Sequence, residues 1–158
     1  MGSLVTALYY QLLGTPDVVD RTHGHSPYDN RSVAYGVGTL ALPVAALEPV
    51  IRSMIAASNV GVARYDITPD AQNYLNGNYL PAGDFQIPVM TVHNAWDPLV
   101  PFFHEPALAG LASGGGGSAN LLQRTVVNYG HCNFSTPTVV SSFQTLAGWV
   151  TTGVKPAS

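Results

Sequence analysis

Two residues in this chain have the types and the spacing for shared acid–base chemistry. Asp97 follows one apolar run and His131 follows the next, 34 residues later. A carboxylate beside an imidazole fixes the ring's tautomer and stabilises the imidazolium, so the far ring nitrogen can take a proton from a nucleophile. The acid needs a rigid strand end. The histidine needs a loop that reaches it, and Gly130 just before it lets the backbone turn tightly. Taken singly, Asp97 is an ordinary turn aspartate before Pro98, and His131 is a loop histidine without a role. Their placement after two successive runs is what argues for chemistry.

The elements that must position them span residues 87–134. The run Ile87-Pro88-Val89-Met90-Thr91-Val92-His93 predicts a strand, with Pro88 tolerable only among its first residues. Asn94-Ala95-Trp96-Asp97-Pro98 reads as a polar turn, residues 102–112 as a crossover helix and residues 121–127 as a second strand. A crossover of this length carries the chain back over the sheet, so the strands are expected to be parallel. Chemistry in such sheets collects at the carboxyl ends of the strands, where Asp97 and His131 would both sit.

These residues support a resemblance. His93-Asn94-Ala95-Trp96-Asp97-Pro98-Leu99-Val100-Pro101 resembles the acid loop of bacterial α/β-hydrolases of the esterase/lipase type. Gly130-His131-Cys132-Asn133-Phe134 resembles their histidine loop, and Leu146-Ala147-Gly148-Trp149-Val150-Thr151-Thr152-Gly153 is similar to their last helix. The resemblance runs over residues 60–155 and covers only the C-terminal part of such an enzyme. It implies carboxylic ester hydrolysis with Asp97 as acid, His131 as general base and a serine nucleophile. The substrate would be a small-molecule or polymer ester, no cofactor is implied, and export from a bacterial cell is a common fate of such hydrolases.

The nucleophile is not evident. No serine lies in G-x-S-x-G; the nearest match, Gly24-His25-Ser26-Pro27-Tyr28, lacks the last glycine, so Ser26 is a weak candidate. A chain that starts after the nucleophile is the simplest account. The competing reading is a catalytically silent fragment that keeps the fold as a structural or interaction module. Cys132 directly follows His131; a vicinal pair is expected to point apart, and a small buried thiol is the ordinary role. Trp96, Phe102 and Phe103 flank the acid loop, where they could line an acyl pocket, although aromatic core packing is the commoner role. His23 and His25, with His93 and His104, raise a metal reading, but no H-E-x-x-H motif or cysteine pairing supports it, and no metal is expected.

Composition narrows the classes. Hydrophobic residues make up 46% and charged residues only 9% of the 158, so the surface must be rich in Gly, Ser, Thr, Asn and Pro. A net charge of −3 gives no nucleic-acid footprint. One cysteine excludes an internal disulfide and a Cys-rich zinc site. No apolar run is long enough for a membrane span, and Met1-Gly2-Ser3-Leu4 lacks the basic region of a signal peptide.

The rest of the chain reads as follows. Residues 4–13 predict a helix capped by Gly14 and apolar almost all round, so it expects burial on several sides. Thr15-Pro16-Asp17 looks like a new helix start, and residues 21–38 are irregular. Residues 44–57 predict a helix with Pro43 near its start, and residues 61–66 a short extended piece. Thr68-Pro69-Asp70 predicts a cap and a helix to residue 76; Pro81-Ala82-Gly83-Asp84 predicts a turn. The run Ser113-Gly114-Gly115-Gly116-Gly117-Ser118 reads as a mobile surface loop, or less well as an interdomain linker. Thr136-Pro137 reads as cap and first turn of a last helix over 138–152, stopped by Gly153.

The expected fold is α/β in a single domain over residues 1–158: an irregular helical region to residue 80, then a small parallel sheet edge flanked by helices over 85–153. Few candidate strands cover that sheet. An open edge and a weakly charged apolar surface favour pairing with another chain, most simply as a homodimer.

Overall fold

The computed structural model describes residues 2–36 and 44–157. Among these residues it shows an α/β arrangement of five α-helices and two strands: α1 (Gly2–Arg21), α2 (Glu48–Gly61), α3 (Pro69–Asn78), β1 (Val89–Trp96), α4 (His104–Gly115), β2 (Leu121–Tyr129) and α5 (Thr136–Thr152). Short 3-10 turns precede α2 (Val44–Leu47) and β2 (Ser118–Asn120). Two compact units divide the chain: Met1–Thr15 with Leu80–Ser158, and Pro16–Tyr79.

In the first unit β1 and β2 pair in parallel, with Val89 beside Leu121 and Asn94 beside Val126. Beyond Asn94 the register shifts, and Trp96 pairs with Tyr129. Between those pairs β1 advances by two residues and β2 by three, so β2 carries a bulge. The strand starts at Val89, after Pro88, because proline offers no ladder donor. It also runs on to Trp96, through residues expected to turn. Asn94 can stay in the strand because its amide has a partner across the sheet, described below.

Helices hold the sheet through polar contacts on both sides. Thr91 Oγ1 and Gln123 Nε2 both donate to the buried Glu105 carboxylate of α4, at 2.6 and 2.7 Å. Arg124 reaches α5 and donates to Ser142 Oγ at 2.8 Å. Thr91 pairs with Gln123 and Val92 with Arg124, so the strand alternation sends one cross-strand pair to each helix. Leu121, Leu122, Ala112 and Trp149 form the buried apolar core.

The glycine run is neither a loose loop nor a linker. α4 continues through Gly115 and ends on Gly116 in the left-handed conformation, whose N–H bonds Ala112 O. A Cβ on Gly115 would collide with the backbone of Ala82 and Gly83, and one on Gly117 with Gly83 and Phe85. Gly117 N donates to Gly83 O at 3.1 Å. The helix end therefore packs backbone against backbone on the segment before β1, which only glycine permits.

At the other end of the unit, the α5 cap is Ser135, one residue earlier than expected; its Oγ accepts from Thr138 N at 3.3 Å. α1 also differs from the sequence expectation. It runs through Gly14 and Pro16 to Arg21 as one helix; the fixed φ of proline is helical, although Pro16 removes one hydrogen bond and crowds the carbonyl four residues back. The burial expected for its apolar face is not seen: Leu8, Tyr9, Leu12 and Leu13 are exposed, Leu12 by 73%.

In the second unit α2 extends to Gly61, past the expected end at residue 57, and α3 starts as expected, with Thr68 Oγ1 accepting from Ala71 N. Pro43 and residues 37–38 of the irregular stretch lie outside the described residues. No strand forms over residues 61–66; Tyr65 N instead donates to Asn30 Oδ1 at 2.6 Å, and Arg64 donates to Asn30 O at 2.7 Å.

Candidate active site

Asp97 and His131 meet at the carboxyl ends of the two strands. Nδ1 of His131 lies 2.8 Å from Oδ2 of Asp97. A carboxylate only accepts, so a ring proton sits on Nδ1, and in the neutral ring Nε2 is the acceptor. The Asp97 side chain is 4% exposed and that of His131 39%. The acid is therefore dry and fixed while the ring reaches solvent.

Local sequence explains the rigidity. Oδ1 of Asp97 accepts from Leu99 N at 2.8 Å and Val100 N at 3.0 Å, an Asx-type turn that the proline at 98 stiffens. Burial is the largest single influence on the Asp97 carboxyl and pushes its pKa up. The hydrogen bonds from Val100, His131 and Leu99 together outweigh it, so the group lies below the ordinary value of 3.8.

The histidine loop is tied to β1 through Gly130. Gly130 N donates to Trp96 O at 3.1 Å, and Asn94 Nδ2 donates to Gly130 O at 2.6 Å. Asn94 is 1% exposed. The residues alone did not single it out; the available signal was one amide closing an otherwise apolar run. Gly130 has φ 117°, a conformation open to glycine and strained for other residues. Asn133 Nδ2 to Tyr129 O (2.8 Å) and Asn128 Nδ2 to Asn133 O (2.9 Å) close the loop on itself.

Compared with known proteins, the chain matches no family model, no curated protein and no solved structure.

The structure corrects the sequence expectation for Cys132. Its side chain is exposed rather than buried, and Sγ lies 3.7 Å from His131 Nε2. A vicinal pair can converge in this way because Cys132 adopts φ 50°, which turns its side chain back beside the preceding ring. That left-handed conformation costs a non-glycine residue about 1–2 kcal/mol.

Ser26 lies in the second unit and its hydroxyl is engaged locally: Oγ donates to Tyr28 O and accepts from Tyr28 N. Trp96, Phe102 and Phe103 are all exposed, so the core-packing role does not hold for them. Phe102 sets its ring edge-on to His93 at 5.7 Å, and Phe103 lies over His104 at 4.2 Å. His23 and His25 are in the second unit, His93 and His104 in the first. Among the described residues no group of three or more His, Cys, Asp or Glu is placed to hold a metal ion. No helix among them is long and apolar enough to cross a membrane.

Proposed function

We propose that this chain carries the acid–base pair of a serine-type carboxylic ester hydrolase of the α/β-hydrolase kind, with Asp97 as acid and His131 as general base. The observation that supports this reading is the 2.8 Å contact between a buried, doubly anchored carboxylate and a partly exposed imidazole ring. The exposed rings of Trp96, Phe102 and Phe103 offer apolar surface beside the acid loop for the acyl or alcohol part of a small-molecule or polymer ester.

The test is hydrolysis of p-nitrophenyl esters together with labelling by a serine-directed phosphonate. His131→Ala is expected to lower kcat/KM by about 10²–10⁴-fold, the usual contribution of a positioned base, and the phosphonate to label one serine. Activity that survives His131→Ala would remove the pair from the chemistry. A silent fragment is the second reading; it is favoured by the sulfur atom, rather than a serine oxygen, that stands at Nε2. Absence of both hydrolysis and labelling would support it.

The same reading has a second chain cover the apolar side chains of α1 and α5, such as Leu12 and Phe143, in a symmetric dimer. Light scattering over a concentration series should show the mass double. A monomer at the highest concentration would remove the dimer.

A further inference from the structure

We propose that the Asp97–His131 pair serves the Cys132 thiol directly and makes it an acyl acceptor for small activated carboxylic esters. The proposal rests on the acid–base reading of the pair and needs no serine. Cys132 is not a cysteine standing alone: its sulfur lies 3.7 Å from Nε2, and Nδ1 of the same ring lies 2.8 Å from the Asp97 carboxylate. The carboxylate holds the proton on Nδ1, so Nε2 is the acceptor that faces the thiol. The side chain is exposed, so an ester in solution can reach the sulfur without opening the fold. The φ of 50° at Cys132 brings nucleophile and base together from adjacent positions in the chain.

The chemistry balances without an outside reactant other than water. As Sγ attacks the ester carbonyl carbon, the S–H proton passes to Nε2 and the imidazolium is stabilised by Asp97. The tetrahedral intermediate collapses with cleavage of the carbon–oxygen bond, and the departing alkoxide or phenoxide takes the proton from Nε2. A thioester on Cys132 remains. Water, deprotonated by Nε2, attacks the thioester carbonyl; the carbonyl–sulfur bond breaks and the thiolate recovers the proton. Aryl esters suit the site best, since a good leaving group lessens the demand for oxyanion donors, and Trp96 and Tyr129, neighbours in the backbone ladder, are both exposed at the same strand ends.

The experiment mixes the full chain with p-nitrophenyl acetate, follows nitrophenolate release and maps the acetyl group by peptide mass. A burst followed by slower turnover is expected, with the acetyl on Cys132. The native chain should acylate roughly 10²-fold faster than the urea-unfolded chain at the same pH, the unfolded chain reporting the thiol without its base. His131→Gln and Asp97→Asn should each slow the burst, and Cys132→Ala should abolish it. Circular dichroism of each variant separates lost chemistry from lost fold, and Cys132→Ser tests the sulfur in an almost isosteric side chain. Equal acylation of native and unfolded chains would overturn the proposal. An acetyl mapped to a serine, with Cys132→Ala reacting normally and His131→Gln impaired, would overturn it and leave the ester hydrolase reading standing. No acylation anywhere would sink both.

Discussion

The two ends of the parallel sheet are built in different ways. Where the strands begin, Leu121 and Leu122 are buried, and the end of α4 rests on Ala82 and Gly83 with no side chain between. Lys155 closes over this region, donating to Ser118 O at 2.9 Å with its ammonium above the Trp149 ring. Where the strands finish, Val127, Asn128 and Tyr129 are exposed, and the loop beyond is held by the side-chain amides of Asn94, Asn128 and Asn133. One end rests on close backbone packing and apolar burial, the other on individual hydrogen bonds. Stability concentrates at the first end, and the second is left free to carry groups in strained or solvent-facing positions.

That contrast can be broken at its strong end first. Gly115→Ala forces a methyl into the backbone of Ala82 and Gly83 and should cost about 3 kcal/mol or more. Gly114→Ala, one residue earlier in the same helix with open space around it, should stabilise by about 0.5–1 kcal/mol. Urea denaturation of the two variants measures the difference. Equal effects would mean that the glycine run is not a packed joint. At the other end, Asn94→Ala removes the amide that holds Gly130 O and should cost about 1–3 kcal/mol. The proposed ester hydrolysis should fall with it, because His131 follows Gly130 directly. A variant with full stability and activity would show that the amide does not position the loop.

The smallest effect is in pH dependence. The folded Asp97 carboxyl lies below its ordinary value of 3.8, so the folded chain releases this proton more readily than the unfolded one. The stability this supplies is complete above that value and is lost as pH falls through the lower folded value. Asp97→Asn should remove that part of the acid dependence. An unchanged acid limb in thermal melts from pH 5 to pH 2 would mean that other carboxyls carry it.

The sequence made the sheet legible because its signals are local. Val89-Met90-Thr91-Val92 and Leu121-Leu122 are apolar runs bounded by turn residues, and the distance between them leaves room for one crossover helix. Asp97 and His131 could be read only as a pair, because each follows one of those runs; singly, a turn aspartate before proline and a loop histidine would not stand out. What could not be read depends on partners remote in sequence. The Asn94 side chain is accommodated in the strand because it donates to Gly130 O, and nothing near residue 94 says so. The glycine run looks flexible in isolation and becomes fixed only against Ala82 and Gly83. Cys132 faces His131 through a backbone angle that its residue type disfavours. Gly14 and Pro16 carry the signals of a helix end and a new start, yet α1 passes through both.

The bulge in β2 gives the site a dependence on odd and even counts. Side chains alternate faces along a strand, and Tyr129 stays opposite Trp96 although β2 spends three residues where β1 spends two, so one residue of 127–128 is extra to the ladder. Gly130 meets Trp96 O just beyond that pair, and His131 follows it onto Asp97. Removing one residue from 127–128 would restore the even ladder and leave Tyr129, Gly130 and His131 in their present phase. Removing two would slide β2 by one residue against β1 and turn the imidazole to the opposite face. Chain length at this strand end therefore matters by its parity: one residue can be lost with the facing kept, and two cannot.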